Sequence, residues 1–124
     1  MTNPPPKIVW STTECTVGKT TTLDTEQEAH ILDKRGVLGP PILQSLKSGV
    51  QSGDFVTDNS GSAPRVRYYK KGGIVGVEKL KNFYLVIVAQ DEIDNTRNII
   101  TAHPVHPDEL PKDRKVLWVK PSLK

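Results

Sequence analysis

The feature that most constrains the fold is the run FYLVIVA at residues 83–89. It is unbroken, apolar, and rich in β-branched and aromatic side chains. It is also short and followed at once by polar turn residues, so it predicts a strand buried on both faces rather than a helix. Residues 90–95 (QDEIDN) supply the turn. Residues 96–103 are expected to return as a second strand, stopped by Pro104, which has no N–H to give a ladder. Regular alternation along that return puts Arg97, Ile99, Thr101 and His103 on one face and Asn98, Ile100 and Ala102 on the other. An arginine, a threonine and a histidine would then stand in a row on a rigid strand, beside the core, as groups suited to a phosphate.

Helices are expected before this hairpin. Thr25 with Glu28 three residues on forms a capping box. It opens a helix over residues 26–35 that is acidic in its first turn and basic in its last, as the helix dipole favours. Gly36 suits the C-terminal cap, Ala29 and Leu32 are expected to face the sheet, and His30 and Lys34 share one stripe. Pro40-Pro41 open a second helix with the apolar stripe Ile42, Leu43, Leu46 and Val50, ended by Gly49. Residues 52–63 read as a polar loop. RVRYYK at residues 65–70 alternates, with Arg65, Arg67 and Tyr69 on one face and Val66 and Tyr68 on the other. Lys71-Gly72-Gly73 then turns the chain, and residues 74–78 are expected as the next short strand. Residues 116–119 are expected either as a last edge strand or docked on the core, and residues 7–10 as a further short strand. Helices followed by a run of strands predict an α+β fold, with N-terminal helices packed on a small twisted antiparallel sheet. Residues 1–24, opening on proline-rich MTNPPPK, read as a partly disordered lead, and residues 25–124 as a single domain.

Several function classes are excluded. With 17 basic against 14 acidic residues the net charge of +3 permits an anionic partner without demanding one. No apolar run approaches the roughly 20 residues of a membrane span. The lone Cys15 allows no internal disulfide and no Cys pair for zinc, and no histidine stands at a telling offset to make it a nucleophile. Gly18-Lys19-Thr20 resembles the end of a phosphate-binding loop, but Thr13 stands where that motif needs its first glycine. The His-x-Glu and Pro-Cys-x-x-Cys of zinc nucleobase deaminases are missing. Asp91, Glu92 and Asp94 crowd one turn and fit a hydrophilic hairpin tip better than a magnesium site.

The remaining polar residues suit metal-independent RNA cleavage. That chemistry uses the substrate's own 2′-hydroxyl as nucleophile and needs a base, an acid, and cationic groups around the phosphorane. Histidine titrates in the right range, and arginine forks onto two phosphate oxygens. The candidate catalytic residues are therefore His30, Arg97, Thr101 and His103. Lys34, Arg65, Arg67, Tyr69, Lys70 and Lys71 are the candidate RNA-binding residues, with Tyr68, Tyr69 or Tyr84 to stack on a base. No metal or cofactor is needed. Each residue also has a plainer explanation: His30 as a surface residue, His103 as a strand end, the basic strand as edge protection, and His106 as solvated. A non-catalytic nucleic-acid- or protein-binding module using the basic strand face is therefore the alternative. ADP-ribosyl transfer by the segment 65–69 finds no suitably placed glutamate.

His30-Ile31-Leu32 followed by Lys34-Arg35, and Thr101-Ala102-His103-Pro104-Val105 after a hydrophobic strand, are short motifs within residues 25–105. On these the chain resembles the barnase/EndoU/colicin D/RelE-like ribonuclease toxins found at the C-terminal tips of contact-dependent growth inhibition and other polymorphic toxins. Many members carry tyrosine where this chain has His103. The resemblance implies an endoribonuclease acting on RNA, with tRNA as the class of target, and a cognate immunity protein that masks the basic face. It further implies a monomer outside that complex, secreted as part of a larger toxin and acting in the target-cell cytoplasm.

Overall fold

The computed structural model describes residues 7–13, 19–58, 64–92, 94–110, 112 and 114–121. The expectations for residues 1–6, Cys15, Gly18 and residues 59–63 fall outside these. Strands β1 (Ile8–Thr12) and β2 (Thr20–Asp24) come first, then helices α1 (Thr25–Arg35) and α2 (Gly39–Gln51), joined by a short 3-10 turn. Five strands follow: β3 (Phe55–Asp58), β4 (Arg65–Lys71), β5 (Tyr84–Asp91), β6 (Thr96–Val105) and β7 (Val116–Val119). All seven strands form one sheet in the order β1-β2-β6-β5-β4-β3-β7. The fold is α+β, but the sheet is neither small nor wholly antiparallel, since β2 runs parallel to β6. Nor do the helices lead the chain. They lie between β2 and β3, and together with β3, β4 and β5 make up the long connection that a parallel β2–β6 pairing requires, since two parallel neighbours cannot be joined by a tight turn. The segment before residue 25 thus supplies two strands of the sheet.

The hairpin sits at the centre, as its apolar run predicts. Leu85 to Ala89 are all buried. Leu85, Ile87 and Ala89 join Ile42, Leu46 and Val50 of α2 in the core beneath the helices, while Val86 and Val88 face the opposite side. Gly49 does not end α2. It lies inside the helix against the sheet, and a Cβ there would come within 2.6 Å of Ile87 Cδ1. Its missing side chain sets how closely α2 approaches β5.

Five other expectations are corrected. The N-cap of α1 is Asp24, whose Oδ1 accepts from the Gln27 N–H at 2.8 Å, one residue before the cap predicted at Thr25. Ile31, not Ala29 or Leu32, is the buried residue of α1. The segment 52–63 contains β3, and residues 74–78 form turns leading to a 3-10 segment, Glu78–Leu80, instead of a strand. Pro104 does not stop β6; it pairs with Leu85 inside the strand. β2 pairs with β6 only at Thr96 to Asn98, so among the described residues the far half of that edge has no neighbouring strand. The Ala102 carbonyl points to this edge, where it accepts from Arg35 Nε. Pro104, two residues on, turns its missing N–H the same way, so no ladder bond is lost.

Candidate functional site

A single extra residue decides which side chains meet. β5 and β6 pair Val88 with Thr101 and then Ala89 with Ile99, so Ile100 is bulged out. A bulge resets the alternation. Arg97 and Ile99 therefore face the helices, while Thr101 and His103 face the other side. Arg97 is only 3% exposed and does not join the row expected from regular alternation. Its Nε donates to Asp91 Oδ1 and its Nη1 to the Tyr68 hydroxyl at 2.8 Å, and Lys19 Nζ lies 3.4 Å from Asp91 Oδ2. Burial works against the Arg97 charge, but Asp91 and Tyr68 outweigh it and raise the pKa. This arginine ties β2, β4, β5 and β6 together from within and is closed to a phosphate.

On the helix-free face the register builds two cross-strand rows, Arg67–Val88–Thr101 and Tyr69–Val86–His103. Arg35, the last residue of α1, reaches the same place around the open edge of β6. Its Nε donates to the Ala102 carbonyl at 2.8 Å and its Nη2 to Thr101 Oγ1 at 3.2 Å. Arg35, Arg67, Thr101 and His103 thus converge from three elements. Burial, then the charges of Arg35 and Arg67, hold the His103 imidazole below the ordinary histidine pKa. At neutral pH its ring is uncharged and lies within the field of both arginines, on the face where a proton can be taken and an anion held.

The other candidates are dispersed. His30 and Lys34 are exposed on α1. Lys70 lies on the helix side, where its Nζ donates to Ser48 Oγ at 2.8 Å and Ser52 Oγ at 2.9 Å. That placement removes it from the Arg67 face. Arg65 shares that face, its Nε donating to Gln90 Oε1 at 3.3 Å, and Lys71 is exposed at the end of β4. Tyr69 is on the right face but 1% exposed, covered by Phe55, whose ring stacks on it at 4.4 Å. Tyr68 is buried against the helices, which leaves Tyr84 as the half-exposed tyrosine of the three. His106 is half-buried rather than solvated, its Nδ1 accepting from the Asp108 N–H at 3.2 Å and its ring edge-on to Phe83.

In the sequence Arg35 is half of a basic pair at the end of a helix. Its place at the helix C-terminus was readable, but its reach to β6 depends on how α1 crosses the sheet. At the Thr96 end of the same face, a groove of about 660 Å³ is lined by Asp24, Glu92, Asp94 and the polar side chains Thr22, Thr96 and Asn98. Its carboxylates repel a phosphate and bound the basic cluster on that side. Among the described residues, no three His, Cys, Asp or Glu side chains converge as they would for a metal ion. No family model, curated protein or solved structure matches this chain.

Proposed function

We propose that the chain is a metal-independent endoribonuclease whose centre is His103 with Arg35, Arg67 and Thr101. The observation that supports it is a half-buried histidine on a sheet face, beside Thr101 with its bound Arg35 and one cross-strand row from Arg67; burial and the charges of both arginines lower its pKa. A neutral imidazole takes the proton of the substrate's 2′-hydroxyl, the 2′-oxygen attacks the adjacent phosphorus, and the bond to the 5′-oxygen breaks. The products are a 2′,3′-cyclic phosphate and a 5′-hydroxyl. Arg35 and Arg67 neutralise the extra charge of the phosphorane. Thr101 holds the Arg35 fork in position. The site is partly exposed, so water protonates the leaving 5′-oxygen and carries away the proton from His103. His30, exposed on α1, is not needed in this scheme. The toxin resemblance extends the proposal to tRNA as substrate, a cognate immunity protein over the basic face, and delivery as part of a larger secreted chain.

Total bacterial RNA incubated with the purified chain in EDTA tests it. Fragments ending in 2′,3′-cyclic phosphate are expected, with His103→Ala at least about 100-fold slower, the lower range for a lost general base. His30→Ala is expected to stay within a few-fold of the parent. Intact RNA throughout would refute the proposal, and binding without cleavage would leave the non-catalytic module in its place.

A further inference from the structure

We propose that Tyr84, backed by Phe55, is a nucleobase shelf beside the basic cluster, so that the substrate is engaged as a single strand. The inference rests on the ribonuclease proposal for its substrate and on a separate part of the surface for its content. Val86, which pairs with His103, is two residues from Tyr84 on the same face of β5. Tyr84 is therefore the diagonal neighbour of His103, at a backbone separation of roughly 7–8 Å. Its ring is half-exposed and fixed edge-on to Phe55, with centroids 5.8 Å apart. Phe55 in turn stacks on buried Tyr69, so the shelf is braced from below and loses little freedom when a base lands on it.

Charge gives the shelf a direction. The acidic groove lies at the Thr96 end of β6, and Tyr84 lies at the other, opposite Val105. A strand whose phosphate sits at Arg35 and Arg67 is pushed from those three carboxylates; at the other end a single one, Asp54, stands near Tyr84 and accepts from the Lys71 N–H at 2.7 Å. Lys71, exposed and paired with Tyr84 across the β4–β5 ladder, meets the next phosphate there. Burial, then Asp54, raises the Tyr84 pKa, so the phenol stays neutral and does not repel the backbone. Only an unpaired base can offer its flat face to such a ring; a duplex keeps its bases stacked on each other.

Binding of a labelled single-stranded DNA 10-mer, which lacks the 2′-hydroxyl and is not cut, separates this inference from catalysis. Tyr84→Leu is expected to weaken it at least fivefold and Tyr84→Phe less than twofold, because stacking needs the ring and not the hydroxyl. The same sequence annealed into a duplex is expected to bind more weakly than the single strand. Photocrosslinking of a 4-thiothymidine-substituted 10-mer to the unaltered chain requires no variant to fold and is expected to label the peptide containing Tyr84. A Tyr84→Leu affinity within twofold of the parent, or crosslinks confined to other peptides, would overturn the shelf even if RNA is cleaved. Tyr84-dependent binding by a chain that cuts no RNA would keep the shelf and refute the ribonuclease.

Discussion

His103 and Arg97 share one strand and differ in everything that matters chemically. His103 is half-buried among cations, and its folded-state pKa lies below the unfolded value of about 6.5. A base must be unprotonated to act, so the acidic limb of the kcat/KM profile is expected to have its midpoint below about 6.5. Arg67→Gln or Arg35→Gln is expected to move that midpoint upward while also slowing the reaction, and pH-rate profiles of the three proteins test this. The same shift links to stability. As pH falls below about 6.5 the unfolded chain takes the proton first, so stability drops as pH moves from there toward the folded pKa. His103→Gln is expected to flatten that dependence in urea titrations at several pH values. Arg97 has the opposite character. Its side chain is 4% exposed and bonded to Asp91 and Tyr68, so Arg97→Met takes this donor from the buried Tyr68 hydroxyl and leaves Asp91 with Lys19. A loss of about 1–3 kcal/mol is expected by chemical denaturation, the cost of leaving a buried polar group without its partner. A loss under about 0.5 kcal/mol would mean that the network contributes nothing to the sheet.

At the level of elements, the local signals were legible and the long-range ones were not. The hairpin of β5 and β6, the proline-opened α2, the alternation of β4 and the edge strand β7 all follow from period and turn chemistry in residues close in sequence. The bulge at Ile100 was not legible, because Ile99-Ile100 looks the same whether the apolar pair sits in a regular strand or a bulged one. That one residue took Arg97 out of the candidate site and left Thr101 and His103 in it. The parallel β2–β6 pairing was equally hidden, since a threonine-rich segment of weak pattern becomes a strand only through a partner some 75 residues away. Helix capping shows the smallest such error. Both Asp24 and Thr25 are suited to an N-cap, yet Asp24 accepts from the helix and Thr25 Oγ1 accepts from the Lys7 N–H at 3.0 Å. Asp24→Ala is therefore expected to cost about 1 kcal/mol and Thr25→Ala less than half of that, measured by urea unfolding. Equal losses would point back to the capping box.

Across the whole molecule, the sheet separates two kinds of positive charge that composition cannot tell apart. A net charge of +3 is too small to identify a polyanion site by itself. Lys70 and Arg97 lie on the helix side, bonded to Ser48 and Ser52 and to Asp91 and Tyr68, and Lys19 pairs with Asp91. Arg35, Arg65, Arg67 and Lys71 belong to the helix-free face or its rim, with the acidic groove at one end. Affinity for a nucleic acid should therefore depend on which cation is removed, although every removal changes the net charge equally. Each phosphate contact on a single strand releases condensed counterions and contributes about 0.7 to the slope of log K against log salt. For a single-stranded DNA 10-mer, Arg65→Gln and Arg67→Gln are each expected to reduce that slope by roughly this amount. Lys70→Gln is expected to leave the slope unchanged, because its Nζ is held by Ser48 and Ser52 on the opposite side. Equal reductions in all three variants would mean that the chain attracts nucleic acid by net charge alone. A selective reduction, followed through a salt titration from low to physiological strength, would mean that the strand lies across the face that carries His103.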